Sequence, residues 1–259
     1  MRSPVREQSP VGGGPVTGAL LLDVDDTLID TRTAMVAAGE AAVAELWPQA
    51  GAQVHHAAGV RFHADPNGFF GRFTTGELSF AQMREARVAD LLASFPLTPV
   101  LDISRRFDDA YEPAFAANVR LFDDVLPLLE SAAIAGITIG VLTNSSAQYT
   151  AQKLEMTGLA GAFAVVATRD TLGFGKPDVR AFHHACQLLG SVPSETVYVG
   201  DHLEIDAVAA KDAGLYAVWL QRDPAQWQGA ARARGRGVAV VSSLSQVPAL
   251  WSRALTSRT

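Results

Sequence analysis

The sequence contains a single cysteine, Cys186, among 259 residues. One cysteine excludes an intrachain disulfide and a zinc site built from several cysteines, and it favours a reducing compartment. We therefore expect a cytoplasmic protein. Long apolar runs are also missing: a stretch such as 134–142 is interrupted by glycine and threonine and falls short of the roughly 20 residues that a membrane-spanning helix needs. The sequence does not predict a membrane protein.

Positive charge is scarce as well. The chain has 21 basic and 27 acidic residues, giving a net charge of -6, and no basic run is longer than the pair Arg105-Arg106. This balance disfavours a nucleic-acid partner, because such partners are recognised by basic patches. Lysine is rarest of the basic residues and occurs only as Lys153, Lys176 and Lys211. The position of each lysine therefore deserves separate consideration.

Residues 1–17 contain glycine and proline but no apolar segment of a secretory signal, and they predict a disordered tail. Beyond residue 18, short continuous apolar runs predict strands that are buried on both faces. These runs are 19–22, 137–142, 162–167, 196–199, 216–220 and 238–241. Segments with helical spacing lie between the later runs, at 125–135, 147–156, 179–189 and 205–213. The alternation predicts an α/β fold with a doubly wound parallel sheet.

Residues 31–118, here called the helical insert, interrupt this alternation. They contain helical segments at 33–46, 79–95 and 101–115 and no convincing strand. The predicted domains are therefore a core made of 18–30 and 119–259 and a helical unit inserted after the first strand. Open α/β sheets bind ligands beyond the carboxyl ends of their strands, so the insert is placed to cover such a site.

Polar side chains follow the first strand, where Asp23-Val24-Asp25-Asp26-Thr27 begins. Residues two apart on an extended chain point to the same side, so Asp23 and Asp25 are able to share one site. Two adjacent carboxylates favour a divalent cation such as Mg²⁺. The alternative is a loop of solvated acids or a helix N-cap.

Three later strands also end in polar residues. Thr143 and Asn144 follow one strand and offer either a phosphate-binding turn or an ordinary helix N-cap. Lys176 follows the next, between Gly175 and Pro177, and is either a site residue or a solvated surface lysine. Acids follow a third strand, at Asp201, Glu204 and Asp206. Together the four segments predict a metal ion and fixed positive charge around a phosphate-sized space.

At these residues the sequence resembles the haloacid dehalogenase superfamily of aspartate-nucleophile hydrolases. The resemblance rests on four segments in order, LLLDVDDTLID, GVLTNSS, FGKPD and VYVGDHLEIDAVAAKDAG, and extends from Leu20 to about Leu250. The helical insert resembles the helical cap of one subgroup, and the segment GELSFAQMREAR resembles part of the cap of its phosphatase members. The resemblance implies hydrolysis of a phosphate monoester with Mg²⁺ through an aspartyl phosphate.

The resemblance also implies a role for each matching residue. Asp23 matches the nucleophile, and Asp25 matches the general acid that becomes the base for water. The phosphate-binding positions are Thr143, Asn144 and Lys176. The Mg²⁺ ligands are Asp23, Asp25 through its backbone carbonyl, and Asp201. Asp206 matches the residue that supports these ligands.

The resemblance implies a small phosphorylated metabolite as substrate and leaves the individual ester, the pathway and the oligomeric state open. The acid at Asp25 disfavours dehalogenation, because the dehalogenase members lack an acid there. Two alternatives remain, a phosphosugar mutase of the same superfamily and a receiver-like phosphoacceptor module.

Two groups of residues have open roles. His202 stands where the family usually has a small hydroxyl residue, and it either reaches the metal's water ligands or caps the following helix, the second being favoured. The insert holds aromatic and basic residues that either pack internally or contact substrate, with packing favoured. They are Phe62, Phe69, Phe70, Phe73, Phe80, Phe95, Arg72, Arg84 and Arg87. Internal packing would pair Arg84 or Arg87 with Glu77 or Glu85.

Overall fold

The computed structural model describes residues 18–223 and 228–256, so the predicted tail at 1–17 lies outside the described residues. Its sheet has six parallel strands in the order β3-β2-β1-β4-β5-β6. The strands are β1 (Ala19–Leu22), β2 (Thr138–Thr143), β3 (Val165–Thr168), β4 (Thr196–Gly200), β5 (Tyr216–Leu220) and β6 (Ala239–Val241). Each coincides with a predicted apolar run, and the predicted α/β architecture is confirmed.

The sheet is covered on both faces because its apolar strands have no polar side to leave in water. In β1, Leu20 and Leu22 pack into one core with Val125, whereas Leu21 packs into the opposite core with Phe182. The helices of this α/β part are α6 (Val125–Ile134), α7 (Ala147–Met156), α8 (Arg169–Leu172), α9 (Val179–Leu188), α10 (Ala209–Asp212), α11 (Ala230–Gly235) and α12 (Val247–Thr256).

The segment after β4 differs from the regular helix predicted over 205–213. Its first part, Leu203–Val208, is a π-helical turn that continues into α10. The His202 ring accepts a hydrogen bond from the N–H of Ile205, and Asp206 accepts one from the N–H of His202. These bonds hold the Asp206 carboxylate against the end of β4. The favoured expectation for His202, a helix cap, is confirmed.

The helical insert contains five helices rather than the three predicted segments. They are α1 (Thr31–Leu46), α2 (Ala52–Ala64), α3 (Phe69–Thr74), α4 (Phe80–Ser94) and α5 (Ile103–Asn118). The insert has its own apolar core, which includes Trp47, Phe62 and Phe107. Helix α2 was not predicted, because it contains Gly59 and its apolar residues are mostly alanine. That glycine is required, since a Cβ there would lie 2.4 Å from the Val36 carbonyl oxygen of α1.

None of the helices in the described part of the chain combines the length and apolar character needed to cross a membrane.

A polar clamp fixes the point where the chain returns from the insert to the sheet. Asp124 accepts two hydrogen bonds from the Arg222 guanidinium at 2.9 Å, and it also accepts bonds from the Ser243 hydroxyl and the Leu244 N–H. The guanidinium donates further to the carbonyl of Thr27, next to the end of β1. Burial raises the pKa of Asp124, but these hydrogen bonds outweigh it and lower the pKa below its usual value.

We expect Asp124→Asn to lower the free energy of unfolding by about 1–3 kcal/mol at pH 7, because the charge-assisted bonds to Arg222 are lost. A lowered carboxyl pKa stabilises the fold at neutral pH, and this contribution disappears as the pH falls through that pKa. The difference between variant and wild type should therefore shrink in acid. Urea unfolding at several pH values measures it, with the exposed neighbour Asp123→Asn as the control. A pH-independent difference would contradict the charge argument.

Candidate active site

A cavity of about 600 Å³ lies between the carboxyl ends of the strands and the helical insert. Its lining includes residues from the end of β2, from the segments after β1, α8 and β4, and from α1 to α5 of the insert. All of the predicted site residues line it, namely Asp23, Asp25, Thr143, Asn144, Lys176, Asp201 and Asp206. The four polar segments therefore meet as the parallel strand order requires.

Lys176 is the buried cation that joins these segments. Its Nζ donates to Asp23 Oδ1 and to Asp206 Oδ1, both at 2.6 Å, and to the Tyr198 hydroxyl at 3.0 Å. Burial lowers the pKa of the Lys176 ammonium, but Asp206 and Asp23 outweigh it and raise the pKa above its ordinary value. The lysine therefore remains charged, and it is a site residue rather than a solvated surface residue.

Tyr198 was predicted only as a strand residue, yet its hydroxyl belongs to this network. It donates to Asp206 Oδ1 at 2.8 Å and is fully buried. Burial and the nearby Asp206 and Asp23 carboxylates raise its pKa well above the ordinary value, so the hydroxyl keeps its proton. The alternation of strand β4 points Tyr198 toward Phe182 in the core, and the sequence carries no signal of its contact with Lys176.

Asp206 approaches the strand end because Gly200 leaves room for it. A Cβ at Gly200 would lie 2.5 Å from the Asp206 carboxyl carbon. With one oxygen bound by Lys176 and Tyr198 and the other by the N–H of His202, the Asp206 carboxylate is held by three donors. It therefore has little freedom to move and orients Lys176 toward Asp23.

Three carboxylates converge beside this lysine. One oxygen of each of Asp23, Asp201 and Asp206 lies within 4.8 Å of the others. Burial is the largest effect on the pKa of Asp23 and on that of Asp201. Burial and the neighbouring carboxylates raise the pKa of Asp23 to about 7, although Lys176 lowers it. Burial together with Asp23 and Asp206 raises the pKa of Asp201 to about 9. Three carboxylates therefore lie beside a single cation, Lys176, and their oxygen donors suit a hard divalent cation.

The Asp25 carboxylate is directed away from that cluster. Its Oδ1 accepts hydrogen bonds from the Thr31 hydroxyl at 2.6 Å and from Lys153 Nζ at 2.5 Å. Burial raises the pKa of Asp25, but Lys153 and Thr31 outweigh it and lower the pKa overall. The Asp25 carboxylate is therefore not part of the group formed by Asp23, Asp201 and Asp206.

Lys153 corrects a second expectation. Lys176 was the one lysine assigned to the crevice, whereas Lys153 is also buried and lines the same cavity. Lys153 lies in the second turn of α7, the helix that follows β2, and its side chain reaches Asp25 after β1. Lys211, the third lysine, is exposed.

The turn after β2 holds the remaining predicted residues. The Thr143 hydroxyl is buried and accepts a bond from the N–H of Ser145 at 3.1 Å. The Asn144 side chain binds the backbone of Lys176 twice, donating to its carbonyl and accepting from its N–H, both at 2.8 Å. Asn144 therefore fixes the loop that carries Lys176, a contact that the sequence did not predict.

The helical insert supplies the opposite wall of the cavity. Arg84 donates to Asp108, with Glu112 at 3.5 Å, and its guanidinium lies 4.3 Å from the Tyr111 ring centre. The expected pairing of Arg84 or Arg87 with Glu77 or Glu85 is wrong. The partners of Arg84 come from α5, and Glu77 pairs with Arg72 instead.

Aromatic and polar contacts join the insert to the α/β part beside the cavity. The rings of Phe80 and Tyr149 lie with centroids 4.9 Å apart. Arg169 donates to the Phe73 carbonyl at 2.6 Å and stacks 3.9 Å over the Phe73 ring. Phe62 lies in the core of the insert, where the sequence analysis expected most of these phenylalanines. Phe70, Phe73 and Phe80 line the cavity instead.

Comparison with known proteins agrees with this geometry. The profile of the haloacid dehalogenase-like hydrolases matches residues 17–214, which include the helical insert and all four polar segments. The chain belongs to the haloacid dehalogenase-like hydrolase family. A phosphoglycolate phosphatase of Thiobacillus denitrificans is 30% identical over 199 residues, covering 76% of this chain and 79% of the relative.

Two further members of this hydrolase family are similar over different extents. A phosphoserine phosphatase of Thermus thermophilus is 35% identical over 102 residues, which are 39% of this chain and 41% of that protein. The crystal structure of the hydrolase YfnB of Bacillus subtilis, bound to magnesium, has a TM-score of 0.69 at 18% identity and covers 91% of this chain and 98% of its own. This last likeness concerns the fold.

We expect Lys176→Met to destabilise the metal-free hydrolase by about 3–5 kcal/mol at pH 8, because it leaves the Asp23 and Asp206 carboxylates buried without their cation. At pH 5 the loss should be smaller, since abandoned carboxylates take up protons and cease to be charged. Thermal unfolding in a chelating buffer at both pH values measures this, with the exposed Lys211→Met as the matched control. Equal losses in the two variants would contradict the assignment of Lys176 as the charge at the centre of the site.

Proposed function

We propose that this hydrolase is a phosphatase that releases phosphate from a small phosphate monoester, with Asp23 as the nucleophile. The observation that carries the proposal is the buried Asp23 carboxylate, which lines the cavity and is held at one oxygen by Lys176 at 2.6 Å. A nucleophile fixed next to positive charge is what phosphoryl transfer requires, because that reaction depends on positioning and on charge neutralisation.

In the first step an Asp23 oxygen forms a bond to phosphorus, and the bond between phosphorus and the alcohol oxygen breaks. Asp25 gives its proton to the departing alcohol oxygen. In the second step Asp25, now a carboxylate, takes a proton from water, whose oxygen attacks phosphorus and restores free Asp23. The hydrogen bonds from Thr31 and Lys153 hold Asp25 in one position and lower its pKa, so the carboxylate suits the second step as the base. For the first step we propose that Asp25 takes up a proton when the negatively charged substrate enters the site.

The surrounding residues neutralise and orient the phosphate. The phosphate oxygens are bound by the buried Thr143 hydroxyl at the end of β2 and by the backbone at Asn144. Lys176 balances the charge of Asp23 and of the transferred group. Asp206 is a positioning residue, since its three hydrogen bonds orient Lys176.

The carboxylates of Asp23 and Asp201 also suit a divalent cation, and we propose that this cation is Mg²⁺. The raised pKa values of Asp23 and Asp201 support this, because these carboxylates need a compensating positive charge. Asp23, Asp201 and the backbone carbonyl of Asp25 are the proposed ligands. When bound, the ion supplies positive charge for the phosphate oxygens and for the attacking carboxylate.

The proposed substrate is small because the insert closes over the strand ends. We also propose that residues 31–118 act as a cap domain on a core of 18–30 and 119–259. The relatives are named for small esters, phosphoglycolate, phosphoserine and, in Methanopyrus kandleri, glyceraldehyde 3-phosphate. The first two substrates carry a carboxylate and the third an aldehyde, so these names do not select one chemistry.

Other aspects of the sequence-based proposal are retained. The buried single cysteine, Cys186, supports a reducing compartment, and the proposed location is the cytoplasm. The proposed partner is a phosphorylated metabolite rather than nucleic acid or a membrane. A hydrolase-family match that runs through the helical insert favours this reading over a receiver-like module. Release of free phosphate without a bisphosphate activator separates it from a phosphosugar mutase.

We expect Asp25→Asn to separate the two steps. p-Nitrophenyl phosphate has a good leaving group that needs little protonation, so the variant should release a burst of nitrophenol and then stall as phosphorylated Asp23. Glycerol 3-phosphate, which needs the acid, should give no burst and a rate reduced about a hundredfold to ten-thousandfold. Rapid quench and intact mass spectrometry measure both. Wild-type turnover without a phosphorylated species would show that Asp25 is not the acid and base.

We expect Mg²⁺ at a hundredfold excess over its Kd to raise the melting temperature of the wild type by about 5–10 °C. Asp201→Asn should abolish most of that rise. The metal-free variant should be at least as stable as the wild type at pH 7.5, because a carboxyl pKa raised to about 9 makes the ionised form costly in the folded state. Scanning calorimetry with Mg²⁺ and with chelator measures these shifts, and Asp123→Asn is the control. An undiminished shift in Asp201→Asn would exclude it as a ligand.

A further inference from the structure

Two buried arginines on α4, Arg84 and Arg87, line the insert wall of the cavity. They differ in how their charge is balanced. Arg84 has two carboxylates within 4 Å, from Asp108 and Glu112. Within residues 18–223 and 228–256, no carboxylate oxygen lies within 4 Å of the Arg87 guanidinium. The cavity wall therefore carries one buried positive charge without an ion-pair partner.

Arg87 makes some polar contacts, but they leave hydrogen-bonding capacity unused. Its Nη2 donates to the carbonyls of Phe62 and His63 in the last turn of α2, and its Nη1 lies 3.9 Å from the sulfur of Met83. Its Nε is buried and has no hydrogen-bond partner. An arginine has five N–H donors and remains charged in proteins. Neutral carbonyls satisfy part of that set and none of the charge.

No neighbouring titratable group forms an ion pair with Arg87. Asp65 also lines the cavity and acts on Arg87 electrostatically, but its two carboxylate oxygens accept the backbone N–H groups of Phe69 and Phe70, at 3.1 and 2.7 Å. His63 is held neutral, because burial and the charges of Arg32 and Arg87 lower its pKa to about 4. A buried guanidinium with no anion is unfavourable unless something else provides one.

The cavity connects this unpaired charge with the phosphate site. It reaches from Asp23 and Lys176 to Arg87 and measures about 600 Å³, enough for a small organic ligand. When a phosphate group lies at Asp23, the rest of the substrate extends toward the insert. The Nη1 group of Arg87, whose neighbour is the Met83 sulfur, has an N–H left for a carboxylate, and a hydrogen bond between two charged groups is stronger than one between neutral groups.

We propose that Arg87 binds a carboxylate at the end of the substrate opposite its phosphate, so that this phosphatase selects phosphorylated carboxylic acids over esters of uncharged alcohols. The inference rests on the proposed function and narrows its substrate class. Arg87 is a specificity-determining residue that does not touch the reacting phosphorus. Arg87 also has a structural role, because it binds the carbonyls of Phe62 and His63 at the end of α2. The experiment therefore has to separate substrate binding from this structural role.

Matched substrate pairs separate them. 2-Phosphoglycolate and 2-hydroxyethyl phosphate differ only in a carboxylate against a hydroxymethyl group, and 3-phosphoglycerate and glycerol 3-phosphate differ in the same way one carbon further out. Phosphate release with Mg²⁺ gives kcat and KM for each. We expect the wild type to prefer the carboxylate by at least about tenfold in kcat/KM in one of the pairs, as a charge-assisted hydrogen bond allows.

In Arg87→Met, KM for the preferred carboxylate should rise about ten- to hundredfold with kcat little changed, because the contact binds ground state and transition state alike. The uncharged partner should change less than about threefold. Arg61→Met is the matched control. Arg61 also joins α2 to α4, through Asp90 at 2.7 Å, but does not line the cavity. It should leave the preference intact.

Three results would overturn the proposal. The first is a wild type that does not distinguish the members of either pair. The second is an Arg87→Met variant in which both members lose rate in parallel, which a purely structural arginine predicts. The third, decisive also if Arg87→Met does not fold, is full preference for the carboxylate in Arg87→Gln, which keeps hydrogen-bond donors but loses the charge. Absence of phosphate release from every ester, p-nitrophenyl phosphate included, would instead remove the proposed function itself.

Discussion

The buried contact of Lys176 with Asp23 and Asp206 is the interaction on which the site depends. Two polypeptide segments, the end of β1 and the turn after β4, place a carboxylate oxygen 2.6 Å from Lys176 Nζ, and a third segment, the loop after α8, carries the lysine. Buried charges of this kind are tolerated only when they are paired and hydrogen-bonded. The surrounding structure provides this through Tyr198, the N–H of His202 and the side chain of Asn144.

Several irregularities of the chain follow from that requirement. A glycine is needed at position 200 because the Asp206 carboxyl carbon takes the space of a Cβ. The turn after β4 is π-helical, a form that widens a helix and often occurs at functional sites. It returns Asp206 to the strand end while α10 continues against the sheet. Local departures from regular structure therefore serve the placement of charge rather than the packing of the core.

The strands of the sheet and the polar residues that follow them could be predicted because short stretches of sequence identify both. Continuous apolar runs such as 19–22 show a strand buried on two sides, and parallel strands bring their carboxyl ends to one edge. The residues that escaped prediction depend on contacts between distant segments. Lys153 pairs with Asp25 across 128 positions, and Arg84 pairs with Asp108 across 24. Helix α2 was missed because its closest neighbour, α1, requires a glycine at position 59 that weakens the helical pattern.

The cavity is electrically unequal at its two ends, and this asymmetry links the chemistry to selection of the substrate. At the sheet, three carboxylates lie beside one lysine, so negative groups outnumber positive ones. At the insert, Arg84 is paired with its own acids whereas Arg87 has no ion-pair partner. A cation at the first end would offset the excess of carboxylates and make room for the charge of a phosphate, and an anionic group at the second end would pair with Arg87. A molecule with a phosphate at one end and a carboxylate at the other therefore fits the cavity once the cation is bound.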